Sequence, residues 1–168
     1  MAAGILYSVP FICADLGSIC GGWLSGVLYG RGLPLSAARK GVMVVACLTM
    51  LLGLPAVYAA SPAVTVILIG LVTYSYAVAG GNVLTLPADL APAHLTGSLT
   101  GLSGFFGGAG GIFMNLATGR VKDTFGSYRP LFIAEALIPL LGAAMLVFVM
   151  GQIKRLEVAP REHARKGA

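Results

Sequence analysis

Long apolar stretches separated by short polar turns divide this sequence, and each stretch is long enough to cross a membrane. About 20 residues of helix span the hydrocarbon core of a bilayer. Five stretches meet this length, at about residues 3–29, 41–60, 63–86, 98–119 and 130–153. Because a chain in lipid must satisfy its backbone hydrogen bonds internally, the sequence predicts an all-α integral membrane bundle over residues 1–153.

Composition agrees with a membrane environment. Only 10% of the 168 residues are charged and 57% are hydrophobic, whereas soluble domains carry about 25% charged residues. The net charge of +5 is not the pattern of a nucleic-acid-binding protein, because the cations lie in short loops and at the C-terminus. The expected partner is membrane lipid, and no nucleic acid is expected.

The distribution of Lys and Arg predicts the orientation. In a five-span arrangement, the 31–40 turn and the 154–168 tail share one side and carry three and five of these cations. The opposite side has three, all between residues 120 and 129. The more basic side faces the cytoplasm. We therefore expect a multi-pass protein of a bacterial plasma (inner) membrane, with a cytoplasmic basic tail that is disordered beyond its first turn.

The residues that commonly build catalytic and metal sites are scattered. Cys13, Cys20 and Cys47 lie inside apolar stretches without CxxC spacing, and His94 and His163 lie in a loop and in the tail. Neither set forms a metal-ligand or nucleophile pattern. The sequence predicts no enzyme, no metal and no cofactor.

The first turn combines small residues, which let two helices approach closely, with cations that resist crossing the bilayer. This loop motif consists of Gly22, Ser25, Arg31, Arg39 and Lys40. The surrounding run, ADLGSICGGWLSGVLYGRGLPLSAARK, resembles the eight-to-nine loop of the major facilitator superfamily, and most closely its anion:cation symporter branch. That branch typically has an acid after the Leu-Ser pair, and here the position is Gly26.

A second run, LPADLAPAHLTGSLTGLSGFFGGAGGIFMNLATG at residues 86–119, is similar to the tenth-to-eleventh helix region of the same branch. The resemblance implies helices eight to twelve of a twelve-helix fold, hence a C-terminal half whose N-terminal half is missing. It further implies proton-coupled symport of a small anionic solute, a sugar acid such as a hexuronate or aldonate. None of the five predicted spans contains Arg or Lys, so the charge partner of that solute is expected on the absent half.

The fourth span carries small residues at steps of three and four, which places them on one helix face. They are Gly97, Gly101, Gly104, Gly108 and Gly111, followed by Asn115. The glycines fit close packing of a neighbouring helix without any ligand. Asn115 is either a substrate-cavity residue or the donor of an interhelical hydrogen bond.

Two further spans carry polar candidates. Asp15 lies near the middle of the first span, where it is either a cavity or protonation residue or a carboxyl hydrogen-bonded to a neighbouring helix. Tyr74, Asn82 and Thr85 share a face of the third span, and they are substrate-cavity candidates because the superfamily's tenth helix lines its central cavity. Interhelical packing is the alternative for all three.

Two other functional classes stay open on these residues. A non-transporting structural membrane subunit would use the glycine face to pack against a partner. A small carrier completed by self-association would supply the second wall of a cavity from another copy, because five helices alone enclose little space.

Overall fold

The computed structural model of the chain describes residues 2–149, 151 and 153, and the predicted tail at 154–168 lies outside the described residues. All regular secondary structure in the described part is helical, which confirms the predicted fold class. Its helices are α1 Ala2–Gly30, α2 Leu35–Thr49, α3 Gly53–Ala56, α4 Pro62–Leu90, α5 Ala93–Phe125 and α6 Arg129–Ala144. A 3-10 turn, Met50–Leu52, joins α2 to α3, and a π-helical turn, Met145–Val149, follows α6.

Glycine and proline set the helix boundaries. Gly32 has a φ of 94°, a conformation that side chains with a Cβ rarely adopt, and it reverses the chain between α1 and α2. Pro55 has no N–H to donate an α-helical hydrogen bond, and a 3-10 turn, Met50–Leu52, lies just before it. Pro62 occupies the first turn of α4, where a missing N–H costs nothing. Gly126, with a φ of 62°, ends α5 in a left-handed cap.

Four segments of the described chain are long and apolar enough to cross a membrane: Ser8–Gly30, Leu35–Ala56, Pro62–Leu90 and Arg129–Val149. The fourth predicted span lies within α5, whose many glycines lower its mean hydropathy, and α5 is not among the four. Because these helices expose many large apolar side chains, including Phe148 at 85%, the outer surface suits lipid and the chain is a multi-pass membrane protein.

Helix α4 is the centre of the bundle and packs against α1, α2, α3 and α5. Its longest interface is with α1, and its contact with α2 contains the buried side chains Val42, Ala46 and Val78. A second buried cluster, Met43, Leu86 and Ile153, joins α2 and α4 to the segment after α6. Helices α1 to α4 and α6 therefore form the compact part of the molecule, while α5 has no buried residue.

Helices α2, α4 and α5 all extend beyond the predicted spans, and each extension carries charge. Helix α2 begins at Leu35 instead of near residue 41, so Arg39 lies inside a helix that can cross a membrane. Helix α4 continues through Pro87 to Leu90, so Asp89 is helical instead of lying in a loop. The extensions of α2 and α4 bring these two charged side chains to the same end of the bundle, the end with the 31–34 turn.

Candidate functional site

A polar cluster joins α1, α2 and α4 at the end of the bundle with the 31–34 turn. We call it the Arg39 network: Ser25, Arg39, Asn82 and Asp89. Arg39 Nε donates to Asp89 Oδ2 at 3.0 Å, and its Nη1 donates to Ser25 Oγ at 2.9 Å and to Asn82 Oδ1 at 3.2 Å. The Arg39 and Asp89 side chains are only 15% and 18% exposed. One guanidinium therefore holds three helices, because its donors form a rigid fork.

Asn82 is the most deeply placed member of the Arg39 network. Its side chain has no exposed surface, and its Nδ2 donates to Gly21 O at 3.1 Å and to Val78 O at 2.9 Å. Thr85 Oγ1 donates to Asn82 O at 2.8 Å. In this arrangement Asn82 links α1 to α4, as the packing alternative requires, and a solute-binding role for Asn82 and Thr85 stays a prediction.

Tyr74, the third candidate on α4, faces α1. Its side chain lies near Cys20, and its backbone carbonyl contacts the helix at Gly17. It also lines an apolar groove of about 310 Å³ between α1, α2 and α4. The structure therefore places Tyr74 at the α1–α4 interface and not beside Asn115.

The α1–α4 interface is the site of the close helix contact. A Cβ on Gly17 would collide with the backbone carbonyl of Tyr74, and a Cβ on Gly21 would lie 2.8 Å from the Cα and O of Val78. On α4, a Cβ on Gly81 would approach Ser18 O to 3.4 Å. Glycine on both helices lets the two backbones touch, as in other small-residue membrane interfaces.

Asp15 lies on the opposite side of α1. At about 100° per residue it is roughly 160° around the axis from Gly17, and its side chain is exposed. Ser18 and Gly22, one and two turns further along, are exposed as well. A carboxylate that faces hydrocarbon near the centre of a membrane helix is strongly disfavoured. This face of α1 is therefore expected to contact water or a polar partner.

The glycines of α5 do not pack against another helix of the described chain. A Cβ on Gly97, Gly101, Gly104, Gly108 or Gly111 would meet no atom within 4 Å. Gly104 lines a cleft of about 810 Å³ that also borders α4 and α6. The predicted close packing is thus absent within this bundle, because α5 stands away from α4 across that cleft. The glycine face stays a predicted contact for helices outside this sequence.

Asn115 lies further along α5 and is exposed. Its Nδ2 donates to Gly111 O at 3.0 Å, within its own helix. Because Asn115 is exposed, its side chain is accessible from outside the described bundle. Its role stays a prediction.

The remaining members of the loop motif have separate surroundings. Gly22 is exposed and its carbonyl accepts a hydrogen bond from Ser25 Oγ at 3.0 Å. Arg31 is exposed in the turn, where its N–H donates to Val27 O, and Lys40 is partly buried. Only Ser25 and Arg39 of this motif join the Arg39 network. Asp89, which completes it, was not among the predicted site residues, because it lies 50 residues from Arg39 along the chain.

The open glycine face leads to a stability prediction. We expect Gly104→Ala to leave the isolated chain as stable as the unsubstituted one or to stabilise it by up to about 1 kcal/mol, because alanine favours helix and nothing opposes its Cβ. Unfolding by SDS, followed by circular dichroism, measures this. A loss of about 1–3 kcal/mol, typical of overpacking, would mean that α5 packs tightly within the bundle.

Comparison with curated proteins finds similarity to bacterial transporters. The probable galactarate/D-glucarate transporter GudP of Escherichia coli K12 is 31% identical over 162 residues, and the D-galactonate transporter of Escherichia coli O6:H1 is 29% identical over 156 residues. The hexuronate transporter of Escherichia coli K12 is 29% identical over 158 residues. These matches cover 92–95% of this chain but only 35–36% of each relative. The chain thus spans about a third of the relatives' length. No family model matches the chain.

Proposed function

Because this chain belongs to the major facilitator superfamily of membrane transporters, we propose that it forms one part of a proton-coupled carrier for a sugar acid. The observation that carries the proposal is the similarity, along nearly the whole chain, to proteins named for D-galactonate, galactarate, D-glucarate and hexuronate. These solutes share a carboxylate and several hydroxyl groups. A site for them needs a cationic group for the carboxylate and amide or hydroxyl groups for the rest.

The described chain supplies amide and hydroxyl groups more readily than a free cationic group. Asn115 is exposed on α5 and Ser18 borders the 810 Å³ cleft, so both can reach a polyol. Arg39 already uses its donors on Asp89, Ser25 and Asn82. We therefore propose that the cation for the carboxylate and the opposite wall of the cavity come from helices outside this sequence. Carriers of this architecture place the solute between two such bundles.

The same proposal includes an orientation. We place the 31–34 turn on the cytoplasmic side of a bacterial inner membrane, because the more basic side of a membrane protein faces the cytoplasm. The Arg39 network then lies at the cytoplasmic end of the bundle, and the 126–128 turn between α5 and α6 faces outside.

Uptake by reconstituted protein tests the function. We expect no uptake of galactonate, galactarate or glucuronate above empty liposomes for the purified chain alone, because alternating access needs two bundles that move against each other. We expect uptake driven by an inward proton gradient when the chain is produced together with the part of the D-galactonate transporter that lies outside the matched region. Saturable uptake by the chain alone would contradict the proposal and favour self-assembly.

The co-produced carrier also tests Asn115. We expect Asn115→Ala to reduce uptake by about three- to tenfold, the loss of one hydrogen bond to the solute. Leu116→Ala is the matched control, because Leu116 is also exposed on α5 but lies about 100° around the helix. Equal uptake by both variants would show that Asn115 does not contact the solute.

A further inference from the structure

We propose that a pocket at the end of the bundle opposite the Arg39 network binds the phosphate headgroup of an anionic phospholipid. The pocket has a volume of about 260 Å³ and lies where α4 and α6 begin. We call it the Arg129 pocket, and its lining includes Thr65, Ile69, Ser127, Tyr128, Arg129 and Phe132. The inference goes beyond the proposed function, because it concerns the lipid around the chain and not the transported solute.

The Arg129 pocket lies at the depth of a membrane interface. Two of the segments that can cross a membrane, Pro62–Leu90 and Arg129–Val149, begin beside it. Thr65 lies in the first turn of α4, and Arg129 is the first residue of α6. A helix that crosses a bilayer passes from the headgroup layer into the hydrocarbon near its first residues. The mouth of the pocket is therefore level with the lipid phosphates.

The wall of the pocket changes from polar to apolar along the two helices. On α4, Ile69 lies one turn deeper than Thr65, about 6 Å at 1.5 Å per residue. On α6, Phe132 lies about 4.5 Å deeper than Arg129. A phospholipid has its charged phosphate and its acyl chains in the same order. A free anion has no apolar part to cover the deeper wall, so the pocket fits a lipid better than a soluble phosphate.

The mouth of the pocket is positively charged. Arg129 is exposed, and no carboxylate of the described residues lines the pocket or pairs with Arg129. Lys122 Nζ lies 4.3 Å from the centre of the Tyr128 ring, which holds a second cation beside the lining. Ser127 Oγ accepts a hydrogen bond from the Arg129 N–H at 3.2 Å and keeps its own O–H to donate. A phosphate at the mouth would therefore meet a guanidinium and a hydroxyl donor.

The charge of the mouth favours an anionic headgroup over a zwitterionic one. A zwitterionic headgroup brings its own ammonium group towards the Arg129 and Lys122 cations, and like charges repel. Phosphatidylglycerol carries a net negative charge, whereas phosphatidylcholine is zwitterionic. Basic pockets between membrane helices select anionic lipids in the same way. We therefore expect phosphatidylglycerol to bind more tightly than phosphatidylcholine at the Arg129 pocket.

Quenching of tryptophan fluorescence by brominated lipids tests this in vesicles. The chain has one tryptophan, Trp23, so Trp23→Phe combined with Phe132→Trp leaves a single reporter in the pocket. At this reporter we expect dibrominated phosphatidylglycerol to bind about three- to tenfold more tightly than dibrominated phosphatidylcholine, as one charge-assisted contact would give. Trp23 of the unsubstituted chain is exposed on α1, away from the pocket, and should show no such preference.

Two charge variants identify the cation. Arg129→Gln in the reporter chain should reduce the preference for phosphatidylglycerol to nearly none, because it removes the guanidinium at the mouth. Arg31→Gln is the matched control, since it removes an equal charge from an exposed residue at the other end of the bundle and should leave the preference unchanged. Ile69→Trp in the Trp23→Phe chain is a second reporter on α4, and it should give the same preference if Phe132→Trp disturbs the fold.

Four outcomes would overturn the proposal. Equal preference at positions 23 and 132 would indicate general attraction of anionic lipid to a basic chain, as would an equal loss in Arg31→Gln and Arg129→Gln. No preference at either pocket reporter would mean that no lipid is selected there. Displacement of the brominated lipid by inorganic phosphate, but not by chloride at the same ionic strength, would indicate a site for a free anion. Quenching requires no solute, so it is independent of the uptake measurement.

Discussion

Arg39→Met is expected to lower the free energy of unfolding by about 2–4 kcal/mol, because it leaves Asp89 as a largely buried carboxylate without its cation. The loss extends to Ser25 and Asn82, which no longer share a donor from α2. The estimate lies near the lower end of the range for broken buried ion pairs, since both side chains keep some exposure. SDS unfolding followed by circular dichroism measures it.

Two further variants distinguish the contribution of the Arg39 charge from that of its planar donor geometry. Arg39→Met combined with Asp89→Leu removes both charges and should recover much of the loss, as apolar replacements of buried ion pairs do elsewhere. Arg39→Lys keeps the charge but lacks the planar fork, so it should recover the Asp89 contact without holding Ser25 and Asn82 together. A single variant Arg39→Met as stable as the unsubstituted chain would mean that the Arg39 network contributes nothing to stability.

Gly21→Ala is expected to destabilise the chain by about 1–3 kcal/mol, since its Cβ would lie 2.8 Å from the Val78 backbone and force α1 away from α4. The neighbouring Gly22→Ala is the matched control. A Cβ on Gly22 meets no atom within 4 Å, and alanine favours helix by up to about 1 kcal/mol over glycine. The two variants should therefore shift the SDS midpoint in opposite directions. Equal shifts would contradict the backbone contact between α1 and α4.

The number and approximate position of the helices follow from the sequence because they depend on local properties. The length and apolar character of a segment decide whether it spans a bilayer, and Pro62 and Gly126 lie where their backbone preferences predict a helix start and end. The ends of the helices are less predictable: α2 begins six residues before its predicted span, and α4 continues one turn past Pro87. That extra turn carries Asp89.

The contacts between helices could not be predicted in the same way, because periodicity identifies a face and not its neighbour. The five glycines of α5 have the more regular spacing, yet Gly17 and Gly21 on α1 make the backbone contact. A signal was present in α1: the two glycines are one helical turn apart, with Ser25 one turn further. The partner face of α4 carries Tyr74 and Asn82 and was recognised from its helical spacing, but that spacing did not show that α1 packs against it.

The separation of Arg39 and Asp89 along the chain determines when the Arg39 network can form during synthesis. At about 5–20 residues per second, the 50 residues between them take roughly 3–10 s to emerge from a ribosome. Until α4 emerges, Ser25 is the only member of the Arg39 network that Arg39 can contact, so the α1–α2 hairpin has one hydrogen bond of the network besides the apolar packing of Leu28. Completion of α4 then fixes the hairpin in one step. A stalled chain that ends before residue 89 should therefore be a good substrate for membrane proteases.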